Sequence, residues 1–144
     1  MVARARRRLA FALRRQDWLD EAAAVCSDAA DTIAPTDASS PEALSLWGSL
    51  QLTEAVAAIR NRDASAAWRL LGEARAAAQR VGPGHINDYW EAFGPANVGA
   101  HEVAVALEAE NPDEALQLAE RVDVEELLPM AQRRATFLID VAHA

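Results

Sequence analysis

Asn97, His101 and Glu108 fall on one stripe of a helical segment, His101 four residues after Asn97 and Glu108 seven after His101. A histidine beside an amide and a carboxylate could move a proton or ligate a metal. The spacing works against both. Seven residues rise about 10 Å along a helix, too far for His101 and Glu108 to share one ion. No second histidine or acid lies near them at ligand spacing. A structural role is the better expectation, with Asn97 and His101 hydrogen-bonding to the loop of residues 85–94. His85 and His143 are isolated and are assigned no chemistry. A lone Cys26 excludes an internal disulfide and a cysteine-based zinc site, and its alanine-rich surroundings read as core. The sequence holds no Gly-rich phosphate loop, dinucleotide fingerprint, His-Glu-x-x-His helix or Gly-x-Ser-x-Gly elbow. No catalytic residue, cofactor or metal is expected, and the chain is not read as an enzyme.

A second set of residues could bind rather than react. Arg7, Phe11, Arg14 and Arg15 share the first helical segment. Leu52, Val56, Ile59 and Arg60 share a later one, and Asn97, His101, Ala104 and Glu108 a third. If these segments are the inner helices of a stack, the residues line one concave groove, basic at one end and apolar in the middle. Such a surface suits a protein or an extended peptide, or a small amphipathic ligand with an anionic end. The competing reading is that these side chains only pack or meet solvent.

The elements that would position them repeat. Asp17-Trp-Leu-Asp-Glu-Ala22, Arg62-Asp-Ala-Ser-Ala-Ala67 and Glu110-Asn-Pro-Asp-Glu-Ala115 each read as a polar turn followed by a helix start. Their alanines lie 45 and 48 residues apart. Twelve residues before them stand Ala10, Ala55 and Val103, and seven after them Ala29, Ala74 and Val122, small or compact side chains where two helices can approach closely. Self-similarity at this period means stacked helical hairpins. Helices are expected over roughly 2–15, 18–33, 41–60, 64–81, 95–110, 111–122 and from about 129 to the end. Ser40 caps the third with Pro41 in its first turn, and Gly82-Pro-Gly84 stops the fourth. Trp47 and Trp68 read as core, Trp18 as packing a helix start, and Trp90 with Phe93 as a plug at the top of the stack. The expected fold is all-α: one domain, 1–144, forming a tetratricopeptide-like right-handed stack of antiparallel hairpins, about 3.5 repeats.

Composition bounds the partners. No segment alternates like a strand, and aromatic residues are 6% of the chain. All 14 basic residues are arginine, and six of them stand in residues 1–15 without an acid. The net charge is −8, which leaves −14 on the remainder. An acidic body repels nucleic acid, so specific binding to it by this chain alone is not expected. No run approaches transmembrane length and Leu9–Leu13 is too short for a signal peptide, so a cytoplasmic protein without membrane contact is expected. Phe137, Leu138 and Val141 recur at helical spacing on the last helix. A stack needs polar ends, so this stripe predicts a homodimer that buries it.

The stretch 87–101, NDYWEAFGPANVGAH, goes beyond a generic repeat. With residues 102–123 and 128–144 it resembles the C-terminal tetratricopeptide-like region of actinobacterial XRE-type helix-turn-helix transcriptional regulators. The matching residues are Ala92 to Pro95, Asn97, Val98 and His101, then Arg133 to Ala135 and Leu138 to Ala142. Ala96 stands where the family usually has threonine, and no helix-turn-helix precedes the repeats. The resemblance implies a sensory or scaffold half of a bacterial transcriptional regulator. The alternative is a free-standing adaptor that binds a partner protein without a signalling ligand.

Overall fold

The computed structural model describes residues 2–36, 39–83, 93–127 and 131–144. Among them are seven α-helices and no strand: α1 (Val2–Arg15), α2 (Leu19–Thr32), α3 (Pro41–Arg60), α4 (Ala64–Val81), α5 (Pro95–Glu108), α6 (Pro112–Ala119) and α7 (Ala131–His143). A short 3-10 turn, Val124–Leu127, stands between α6 and α7. The chain is therefore all-α, as its composition requires. Trp90 and the segment around Pro129 lie outside the described residues. No described helix is long and apolar enough to cross a membrane.

Local chemistry sets the helix ends. The Ser40 side chain accepts from the Ala43 amide at 3.2 Å, and Asp63 accepts from Ala66 at 2.9 Å. At α6 the Asn111 side chain accepts from the Glu114 amide at 3.3 Å while its own amide donates back to the Glu114 carboxylate at 2.9 Å. This reciprocal pair satisfies the open N–H groups of the first turn and places an acid against the helix dipole. Helix α6 ends at Ala119 rather than near Val122, and the 3-10 turn that follows absorbs the remaining apolar residues.

The three repeat phrases adopt one conformation. Asp17, Arg62 and Glu110, each five residues before a matched alanine, have φ of 60°, 63° and 58°. Each carries the paired backbone bonds of a Schellman turn: Trp18 N–H to Leu13 O and Asp17 N–H to Arg14 O in the first, Asp63 to Ala58 and Arg62 to Ile59 in the second, Asn111 to Ala106 and Glu110 to Leu107 in the third. These bonds fill carbonyls that the ending helix leaves open. None of the three left-handed residues is glycine, so each turn carries backbone strain. The next residue, Trp18, Asp63 or Asn111, is the N-cap of the following helix.

Packing follows the same order. Helices α1 and α2, α3 and α4, and α5 and α6 pair as hairpins. Helix α2 then packs on α3, α4 on α5 and α6 on α7, while α1, α3, α5 and α7 touch in succession. Ala22, Ala67 and Ala115 have no exposed surface, and neither do Ala10, Ala55, Val103, Ala29 and Ala74. A larger side chain at any of these crossings would hold two helices apart. Three apolar clusters result. One lies between α1, α2 and α3, one between α3, α4, α5 and Phe93, and one among α5, α6, the 3-10 turn and α7. Trp47 packs against the first two clusters and Trp68 against the last two, so the partly buried tryptophans join the layers.

Phe93 is fully buried, and a Cβ on Gly48 would overlap its ring. Gly48 is thus the gap in α3 that lets Phe93 seat. Trp18 is 55% exposed, so its indole is only partly covered while its backbone serves the turn. The stripe on α7 divides. Phe137 is buried and Val141 partly buried in the molecule's own core, whereas Leu138 and Ile139 stay exposed. Val141 is therefore occupied within the chain, and only the outer half of the stripe is open to a partner.

Candidate functional site

Inner helices α1, α3, α5 and α7 enclose a hollow of about 850 Å³. Each helix contributes residues at three- and four-residue spacing, which is one face of a helix. Helix α1 supplies Phe11 and Arg14, and α3 supplies Val56, Ile59 and Arg60. His101, Ala104, Val105, Leu107 and Glu108 come from α5, and Gln132, Arg133, Thr136, Asp140 and His143 from α7. Buried Val56, Ile59 and Val105 make an apolar floor. The charged groups stand around it.

Of the residues that the sequence analysis assigned to a groove, Phe11, Arg14, Val56, Arg60, His101 and Glu108 line this hollow. Leu52 does not. It is buried in the cluster between α3 and α4, one turn before the hollow opens. Asn97 is likewise buried rather than presented to the hollow, and Arg7 is outside its lining, although its charge reaches Arg133. The α7 contribution went unread because α7 lacks the turn phrase that marked the other repeats. The signal was present: Arg133, Thr136, Asp140 and His143 have the same spacing as the stripes of α3 and α5.

Arg14 is the central charge. Its guanidinium sits 5.1 Å from the centre of the Phe11 ring, one turn back on the same helix. Its Nε is buried and makes no hydrogen bond among the described residues. Burial lowers its pKa to about 10, and the charges of Arg60 and Arg133 add to the effect. Arg60 is partnered: its Nε donates to Glu108 Oε1 at 3.2 Å, which ties α3 to α5 at the groove rim. Burial also lowers the Arg133 pKa, and the nearby Asp140 carboxylate opposes this. Burial raises the Asp140 pKa while Arg133 pulls it back.

His101 is held in one tautomer. Its Nδ1 lies 2.8 Å from the Asn97 carbonyl oxygen, which can only accept, so Nδ1 carries the proton and Nε2 is left as an acceptor. Burial holds its pKa well below the ordinary 6.5, and Arg133 adds to this. The imidazole is neutral at neutral pH. This hydrogen bond lies within α5; the expected bonds from Asn97 and His101 to the loop of residues 85–94 fall mostly on residues 85–92, which lie outside the described residues. No group of three His, Cys, Asp or Glu among the described residues is placed to hold a metal ion. Cys26 is buried behind α1, its thiol pushed up to about 12 by burial first and by Glu54 second.

A second hollow, about 220 Å³, opens between α4, α5 and α6. It contains Arg75, whose Nε donates to Glu102 Oε1 at 3.0 Å. Glu102 is almost wholly buried, so the pair neutralises a carboxylate that α5 takes into the interior. Here the buried charge has its partner.

No family model, curated protein or solved structure matches the chain.

Proposed function

We propose that the chain is a tetratricopeptide-like, right-handed helical-repeat module that binds a peptide, a small amphipathic ligand or a partner protein in its concave groove, as the sensory half of a bacterial transcriptional regulator. One observation carries the binding reading: four successive inner helices place an apolar floor and three arginines around a single hollow of about 850 Å³. That volume is typical of small-ligand sites, which join an apolar lining to a few convergent polar groups. The threefold turn with the same left-handed residue supports the repeat reading. The regulatory role rests on the resemblance over residues 87–142.

The test fills the groove. Ala104 is half-buried on its wall, and Ala104→Trp places an indole in the hollow. Native mass spectrometry of the protein isolated from the cells that make it should find a bound mass on the natural chain and none on this variant. Equal occupancy, or none on either, overturns the groove reading. Transcript profiles of cells carrying the two forms should also diverge.

A second reading, a partner-protein adaptor without a signalling ligand, draws on the exposed Leu138 and Ile139 of α7. A retained protein partner with unchanged transcripts would favour it. The same surface is where the chain would pair with a second copy of itself. Sequence-specific DNA binding is not part of either reading. Fluorescence anisotropy with duplex DNA at physiological salt should give only weak association that ignores sequence and collapses as salt rises.

A further inference from the structure

The geometry points to a single carboxylate on an apolar chain as the chemistry the groove recognises, with the carboxylate seated on Arg14 and facing Arg133. The inference rests on the groove being the binding surface. It begins with a charge count in the hollow. Three guanidiniums, those of Arg14, Arg60 and Arg133, meet two carboxylates, those of Glu108 and Asp140. Glu108 is taken by Arg60, and Asp140 acts on Arg133. Arg14 is the charge left over. Its neighbour is the face of Phe11, and its buried Nε has no acceptor among the described residues.

Leaving a guanidinium in this state is costly to the free protein. Arg14 loses hydration and feels Arg60 and Arg133 without a compensating carboxylate bond. A bound anion would relieve this cost. One negative charge cancels the excess. A phosphate dianion would overshoot it and meet Glu108 and Asp140. A guanidinium also fits a carboxylate through two parallel N–H bonds. The apolar part follows from the floor. Val56, Ile59 and Val105 offer no polar side-chain atom to a ligand body, so this floor favours an apolar chain on the carboxylate.

A fatty acid and the C-terminus of an apolar peptide both present this chemistry, and calorimetric titration of the intact chain separates them. The probes are decanoate, decanol and decylamine, and acetylated trileucine as free acid and as amide. Decanoate or the trileucine acid should bind at least about tenfold tighter than its uncharged counterpart, that being about 1.4 kcal/mol. Whichever acid shows the discrimination names the source. Arg14→Gln should abolish the discrimination while still binding decanol. It should also raise the melting temperature of the free protein, because it removes the uncompensated charge; a purely structural arginine would instead lower it. Equal binding of acid and uncharged probe, tightest binding of decylamine, or a lower melting temperature for Arg14→Gln overturns the inference. If the probes bind without discrimination and Ala104→Trp expels them, the groove reading survives and the carboxylate falls. Binding untouched by Ala104→Trp defeats the groove itself, and binding of no probe defeats the carboxylate.

Discussion

His101 and Ala67 show how much hangs on single positions. His101 is buried as a neutral ring, with its Nδ1 proton on the Asn97 carbonyl. Its folded pKa lies well below 6.5, the ordinary value it recovers on unfolding. The sign is then set. Above pH 6.5 both states are neutral there; below it the unfolded chain takes up a proton that the folded chain refuses. Stability present above the unfolded pKa is lost as the pH falls toward the folded one, with a slope approaching one proton, about 1.4 kcal/mol per pH unit. Denaturant titrations between pH 7 and 5 should show this slope in the natural chain and a reduced slope in His101→Gln. An equal slope in both would place the acid sensitivity elsewhere. Ala67 is enclosed where α3 and α4 cross. Ala67→Leu should overpack that crossing and cost about 1–3 kcal/mol. An unchanged midpoint in the same titration would mean that the two helices can separate freely there.

Among the elements, α2 stands apart from its counterparts. Asp63 and Asn111 cap α4 and α6 with their side chains, but the equivalent position before α2 is Trp18, which provides no side-chain bond. The first turn of α2 therefore leaves its amides to solvent. The Trp18 indole is largely exposed, so little packing is lost by replacing it. Trp18→Asp should stabilise the protein by about 1 kcal/mol through a cap like that of Asp63. Thermal melting checks it, and a lower melting temperature would show that the indole packs more than its exposure suggests. The same comparison explains which elements could be read ahead of the structure. Caps, prolines and the left-handed turns are written in neighbouring residues, so the bounds of α1 to α5 were legible to within two residues. Helix α6 was not: no stop residue follows Ala119, and its end is set by how the 3-10 turn packs Leu127 into the core.

At the scale of the molecule, the stack has ends. Phe137 and Val141 turn α7 onto α5 and the 3-10 turn, which leaves Leu138 and Ile139 on its outer face, 48% and 55% exposed. If a second copy covers this face, Leu138→Asp should separate the pair, since it places an unpaired charge in the apolar contact. Sedimentation at tens of micromolar should then give a dimer for the natural chain and a folded monomer for the variant. A compact monomer for both would show that α7 caps its own stack and tolerates its exposed side chains. Val141→Asp is a poorer test, because Val141 also packs within the chain and its loss would unsettle the last layer.

Sequence by itself determined the helical class, the three hairpin turns and the inward alanines, because these depend on contacts within a turn or on the 3.6-residue period. Helical spacing also puts Phe11 with Arg14, Val56 with Arg60, and His101 with Glu108 on shared helix faces. Tertiary structure alone decided what those faces do. Leu52 lies on the same stripe as Val56 and is buried in the core, while Val56 opens into the hollow, and the difference is where the helices cross. The bond between His101 and Asn97, the ion pair of Arg60 with Glu108 and the closeness of Arg14 to Arg133 likewise join atoms that the sequence leaves independent. Arginine charge is legible in a sequence. Whether an arginine ends beside a carboxylate, another arginine or an empty hollow is set by how successive hairpins stack, which is a sum of many small packing terms that no local pattern records.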